Sequence, residues 1–142
     1  VGPTHAYFGE KDFQQLQIIR KLVKITKANI KIVACPIQRD SSGLAMSSRN
    51  KRLTITERHN ASKIYKALKA TKNKFSDTPF DKITQWVTDQ FEKDDIINLE
   101  YFQISDQLTL QPANKIEPQK KYRAFISAYI RNIRLIDNMA VN

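Results

Sequence analysis

A short apolar strand, a glycine break, an amphipathic helix and a second strand follow one another by Cys35, and that order leaves the chain few folds to adopt. Ala6-Tyr7-Phe8 reads as the end of a buried strand that Gly9 terminates. Asp12 is a good residue to precede a helix, and Gln15 stands three positions later, the spacing of a capping box. Phe13, Leu16, Ile19, Leu22 and Val23 recur at helical spacing with Arg20, Lys21 and Lys24 on other faces. The pattern predicts a helix from about Asp12 to Lys27, ended by Asn29. Ile30 to Cys35 is then a strand stopped by Pro36. Such a βαβ unit pairs its strands in parallel through a right-handed crossover. Ligands of these sheets sit beyond the carboxyl ends of the strands. Two loops leave those ends here, Gly9 to Asp12 and Gln38 to Asn50. One βαβ unit is too little sheet for a doubly wound domain, so further strands are expected on the N-terminal side. The opening Val1-Gly2-Pro3, without an initiator Met, fits a piece of something longer as well as a processed or tagged terminus.

Within the second loop, Gly43-Leu44-Ala45-Met46-Ser47-Ser48-Arg49-Asn50 combines a flexible glycine, two hydroxyls and a guanidinium whose planar fork matches phosphate oxygens two at a time. Taken alone, Ser-Ser-Arg-Asn is also the composition of an ordinary solvated loop. Lys11 could equally be a surface lysine, and Gln15 could merely close the capping box. Beyond this loop, Thr54-Ile55-Thr56-Glu57 is a second capping box, opening a helix to about Lys74 with Ala61, Ile64, Tyr65 and Leu68 along one face. Ser76-Asp77-Thr78-Pro79 breaks the pattern, and Phe80, Ile83, Trp86, Val87 and Phe91 carry a further helix. Leu99 to Ile104, Tyr122 to Tyr129 and Ile133 to Asp137 are rich in β-branched and aromatic residues and read as strands of an antiparallel sheet. The predicted fold class is α/β. A terminal βαβ part of a Rossmann-like nucleotide-binding domain occupies residues 1–75, and a small α+β domain with an antiparallel sheet occupies 76–142.

A net charge of +10 raises a polyanion partner, and a basic nucleic-acid-binding module is the competing function class. Against it, the basic residues are scattered, and no basic run is longer than a pair such as Lys120-Lys121. The single Cys35 excludes an internal disulfide, fits a reducing compartment and lies in a run that reads as a buried strand. His5 and His59 have no second ligand at metal spacing, and Trp86 with Phe80 and Ile83 reads as core. No run has the length of a membrane span.

Phe8-Gly9-Glu10-Lys11-Asp12-Phe13-Gln14-Gln15-Leu16, then Pro36, then Gly43 to Asn50, then Arg134-Leu135-Ile136-Asp137-Asn138, in that order and spacing, resemble the C-terminal half of the pantoate–β-alanine ligase family. The resemblance covers nearly the whole chain. It implies a cytoplasmic, homodimeric parent enzyme that uses ATP to join pantoate to β-alanine through a pantoyl-adenylate, releasing AMP and pyrophosphate. It implies ATP contacts at Gly9, Glu10, Lys11 and Asp12, an adenine contact through backbone groups at Gln38, a phosphate loop at Met46, Ser47, Ser48 and Arg49, and a pantoate contact at Gln15. Lys11 and Arg49 would be the cations facing the phosphates, and Ser47 and Ser48 would bind β- and γ-oxygens. Mg²⁺ would be carried by the nucleotide with few protein ligands. Nothing is carried over for Arg39, Asp40, Ser41 and Ser42. The family's upstream His-x-Gly-His-type element has no counterpart in this chain, and His5 does not replace it. The fragment is therefore expected to hold part of a site and to be inactive by itself.

Overall fold

Residues 2–142 are described by a computed structural model of the chain. The contacts between residues divide it into two compact units, one ending at Gln38 and the other spanning Arg39–Asn142. The sequence pattern predicts a domain junction at 75–76, whereas the division into compact units falls before α2 (Ile55–Lys74). That helix packs on the antiparallel sheet of the second unit, so the loop before it and the helix itself belong there.

In the first unit, β1 (His5–Gly9) and β2 (Lys31–Cys35) pair in parallel, with Gly9 opposite Cys35. Between them a 3-10 turn, Glu10–Asp12, leads into α1 (Phe13–Thr26), which packs against both strands. The predicted Asp12–Gln15 capping box does not form. Asp12 sits at φ −97°, ψ 57°, outside the extended geometry that lets a capping side chain reach the first turn, and it makes no side-chain cap bond. The helix ends earlier than Asn29. Lys27 takes the left-handed conformation (φ 51°) and its amide donates to the Val23 carbonyl, a closing geometry that glycine usually supplies. Of the apolar stripe, Phe13 and Leu16 are buried, whereas Leu22 is exposed. Cys35 is half-buried rather than buried.

In the second unit, β3 (Ile97–Asp106), β4 (Tyr122–Ile130) and β5 (Ile133–Ala140) form an antiparallel sheet with β4 in the centre. Almost every β4 residue is buried, as expected of a central strand. A bulge between Leu99 and Tyr101 shifts the β3–β4 register, and Arg131 at φ 52° turns β4 into β5. α2 packs on β4 and β5, and α3 (Phe80–Glu92) packs on β3. The Thr54–Glu57 capping box predicted for α2 is present in both directions: the Glu57 amide donates to Thr54 Oγ1 (3.2 Å) and the Thr54 amide to the Glu57 carboxylate (2.8 Å). Pro79 occupies the residue before α3 and carries no capping side chain. Phe75, Phe80 and Tyr122 meet with centroids 5.1–5.7 Å apart, joining the α2–α3 connection to the first residue of β4. Trp86 packs against this core while remaining partly exposed. No helix among the described residues is long and apolar enough to cross a membrane.

Candidate functional site

The first unit presents its marked residues at one edge. Gly9 ends β1, Glu10, Lys11 and Asp12 form the turn that follows, and Gln15 lies on the first turn of α1. Because Gly9 is opposite Cys35, Gln38 leaves β2 on the same carboxyl edge, three residues further on, and it is exposed. Gly9 itself has ordinary extended angles (φ −70°, ψ 134°), and a Cβ built on it would meet no atom within 4 Å. Neither backbone conformation nor packing requires glycine there.

The loop of the second unit is built from a rigid base and an exposed tip. At the base, Asp40 organises a tight turn. Its carboxylate accepts from the Ser42 hydroxyl (2.6 Å), the Ser42 amide (2.9 Å) and the Leu44 amide (3.2 Å), while its own amide donates to the Leu44 carbonyl (3.0 Å). The Ser42 hydroxyl, joined by the Ser42 and Leu44 amides and the field of Arg58, outweighs the desolvation that opposes them and holds the Asp40 carboxyl below its ordinary value. Gly43 completes the turn at φ +89°, and a Cβ there would lie 2.1 Å from the Tyr65 ring. Here glycine is demanded twice, by the positive φ and by the close approach of α2. Arg39 closes the base from behind. Its guanidinium pairs with both oxygens of Asp137 on β5 (2.5 and 3.0 Å), donates to the Gly43 carbonyl (3.0 Å) and stacks over Tyr65 with its Cζ 4.4 Å from the ring centroid.

Leu44 and Ala45 are buried, and so is Asn50, so the chain enters and leaves the tip through fixed points. Asn50 ties them together: its side-chain amide donates to the Ala45 carbonyl (3.0 Å), and its own carbonyl accepts from Arg58 (2.9 Å). Asn50 Oδ1 is buried without a hydrogen-bond partner among the described residues. Between these anchors, Met46, Ser48 and Arg49 are exposed and Ser47 is half-buried. Ser47 Oγ accepts from the Arg49 amide (3.2 Å), starting the 3-10 segment Ser48–Arg52 and leaving its hydroxyl hydrogen to donate elsewhere. The Arg49 guanidinium pairs with no described residue, so its charge and five donors face solvent. Such a tip can gather an anion: one guanidinium fork and two hydroxyls stand on a backbone whose ends do not move freely.

The structure thus brings Gly9, Glu10, Lys11, Asp12, Gln15 and Gln38 to one edge of the first unit, and Met46, Ser47, Ser48 and Arg49 to one tip of the second. Arg39 and Asp40, which build the base, lie in an Arg-Asp-Ser-Ser segment that looks variable in kind, so the resemblance assigns them nothing. The usable signal was Asp40 with Ser42 two residues on, the spacing of an Asx turn. No group of three His, Cys, Asp or Glu side chains among the described residues could hold a metal ion.

The family model for pantoate–β-alanine ligase matches residues 1–140. The pantothenate synthetase of Flavobacterium psychrophilum is 52% identical over 99% of this chain and 50% of its own length, and that of Thermotoga petrophila is 36% identical over 97% and 49%. Among solved structures, pantothenate synthetase from Thermus thermophilus superposes with a TM-score of 0.88 at 29% identity, covering 97% of this chain and 50% of that one. Pantoate–β-alanine ligase from Francisella tularensis, solved in complex with β,γ-ATP and β-alanine, gives 0.65 at 36% identity, covering 97% and 44%. The chain spans about half the length of the curated relatives it matches.

Proposed function

The chain belongs to the pantoate–β-alanine ligase family, and on that footing we propose that it is the C-terminal portion of an enzyme that condenses pantoate with β-alanine at the expense of ATP. In the first step a pantoate carboxylate oxygen attacks the α-phosphorus of ATP and pyrophosphate leaves. In the second, the β-alanine amine attacks the acyl carbon of the pantoyl-adenylate and AMP leaves. The observation that carries the reading is the family match across residues 1–140, and the exposed Arg49, whose guanidinium pairs with no described residue, supports it between anchored loop ends. Pantoate is ionised at neutral pH, so the first step needs no general base. It needs alignment, and cations placed where charge accumulates on the leaving pyrophosphate.

In this reading Gly9, Glu10, Lys11 and Asp12 contact ATP, Gln38 meets the adenine through its backbone, and Gln15 holds pantoate. Met46, Ser47, Ser48 and Arg49 receive the β- and γ-phosphates, with Lys11 and Arg49 as the catalytic cations. A glycine that nothing in the fold requires, at Gly9, fits a place where a nucleotide passes close to backbone. Mg²⁺ would enter on the nucleotide and neutralise phosphate charge. The remaining contacts to ATP, pantoate and β-alanine would come from an N-terminal counterpart, in a homodimeric cytoplasmic enzyme.

The test is pyrophosphate release by the chain joined to its N-terminal counterpart, with ATP, Mg²⁺, pantoate and β-alanine. Arg49→Ala should lower turnover by about 10²- to 10³-fold, the range for losing one preorganised donor, and Arg49→Lys by less, since lysine keeps the charge but not the fork. Equal turnover of wild type and Arg49→Ala at saturating ATP would remove Arg49 from the mechanism.

A further inference from the structure

Between the loop and the last strand lies an ion pair that no reading of the nucleotide site uses. Arg39 and Asp137 stand 98 positions apart, yet they form a two-pronged pair (2.5 and 3.0 Å), with the Arg39 side chain 19% and the Asp137 side chain 2% exposed. Charges are placed in such surroundings only when their partners are well arranged, and removing one partner leaves the other desolvated and uncompensated. The Arg39 fork leaves no slack. The same guanidinium donates to the Gly43 carbonyl, lies over Tyr65, and reaches the Asn138 carbonyl at 3.5 Å. The backbone of Arg39 also bridges Ala45, the residue from which the exposed tip departs. One side chain therefore fixes the entry of the loop to two other elements, β5 through Asp137 and α2 through Tyr65.

We infer that Arg39 and Asp137 are positioning residues for the phosphate-binding tip: their ion pair anchors the 39–45 turn to β5, so that only Met46 to Arg49 adjusts when an anion arrives. The inference rests on the ligase reading for its consequence in catalysis, though not for its mechanical content. A guanidinium that must meet a leaving pyrophosphate gains from a fixed base, because a displacement of about 1 Å can cost about 10²-fold in rate. If the base loosens, Arg49 samples more positions. The adenylation step, in which pyrophosphate departs, suffers. The attack of β-alanine on a finished adenylate, after pyrophosphate has gone, does not.

Two measurements test this on Asp137→Asn and Arg39→Lys, with Glu100→Gln as control, since Glu100 pairs with Arg134 on the same sheet at an exposed position (2.7 Å). The first is tryptic cleavage after Arg49, Lys51 and Arg52 in the 142-residue chain, well below each variant's melting temperature. It should be about tenfold faster in both base variants, tracking the higher population of open loop, and unchanged in the control. The second uses the chain joined to its N-terminal counterpart. Pantoate-dependent exchange of pyrophosphate into ATP should fall by about 10²-fold in kcat, while single-turnover formation of pantothenate from preformed pantoyl-adenylate stays at the wild-type rate. A merely structural role would lower both rates together. Unchanged cleavage in folded variants would overturn the anchoring, and faster cleavage with unchanged exchange would overturn its catalytic consequence. Should Asp137→Asn not fold, Arg39→Lys, which keeps the charge, decides. If the wild-type protein shows no pantoate-dependent exchange, the ligase reading fails while the cleavage arm still decides whether the ion pair holds the loop.

Discussion

Two glycines in this chain do opposite things, and substitution separates them. At Gly43 the positive φ and the Tyr65 ring both exclude a Cβ. Gly43→Ala should therefore destabilise the protein by about 1–3 kcal/mol from the backbone alone. At Gly9 the angles suit any residue and the space is open, so Gly9→Ala should stabilise by about 0.4–1 kcal/mol through the unfolded chain. Urea unfolding of both variants checks this, and similar shifts of the same sign would contradict it. If Gly9 lies against a nucleotide, its alanine variant should also lose ATP affinity while gaining stability. Asp40 gives a pH signature at the same scale. Its folded-state pKa is depressed, so its contribution to stability is fully present above the ordinary carboxylate value and is lost as pH falls through the folded one. The 39–45 turn should loosen only below about pH 4. Following the Asp40 carboxyl carbon and the Leu44 amide by NMR through an acid titration is the measurement. Titration of Asp40 at or above the ordinary value would show that the Ser42 and Leu44 bonds do not hold it.

Among the elements, legibility follows how local the signal is. α2 was readable because Thr54 and Glu57 carry both halves of its capping box within four residues. The three strands of the antiparallel sheet were readable from their β-branched and aromatic runs. What escaped is set by contacts distant in sequence or by backbone angles that composition hides. Lys27 and Arg131 take left-handed angles without being glycine or asparagine, so neither turn announced itself. Arg131 is also tied to Glu57, 74 positions away, at 2.8 Å. The division into compact units after Gln38 is hidden for the same reason: a change from helix to strand pattern marks no boundary when the helix packs on the strands that follow. The site divides likewise. Its candidate residues Lys11, Ser47, Ser48 and Arg49, none of them buried, can be named from a resemblance, whereas the Arg39–Asp137 base requires the fold. The Phe75–Phe80–Tyr122 cluster holds the α2–α3 corner onto β4, and Phe80 is buried. Phe80→Ala should cost about 3–5 kcal/mol, as large aromatic truncations in cores do. A loss under 1 kcal/mol in denaturant unfolding would mean that the corner is not part of the cooperative core.

For the molecule as a whole, the +10 charge and the exposed apolar residues point in different directions. Among the described residues, Arg39, Lys63, Lys120, Arg131 and Arg134, scattered from the loop to the last strand, face carboxylates. That is how a basic protein looks when its cations are spread through its structure, and it gives a nucleic-acid role no particular face. The apolar residues are more telling. Tyr7 on β1 and Ile18, Leu22 and Ile25 on α1 are 51–68% exposed, and the last three recur at helical spacing along one face. On the proposed ligase reading, a chain half as long as its relatives, with such a stripe uncovered, would offer ATP one side of a site. Holding two reactants in register can supply roughly 7–11 kcal/mol of a barrier, and a partial site forfeits most of it. The 142-residue chain alone should accordingly fold, bind ATP weakly and form no detectable pantothenate. Adding the separately expressed N-terminal half of the Flavobacterium psychrophilum relative should restore measurable pyrophosphate release, and replacing Ile18 and Leu22 by Asp should abolish that rescue without unfolding the second unit. Robust turnover by the purified chain, free of host enzyme, would show that its own residues suffice for the reaction.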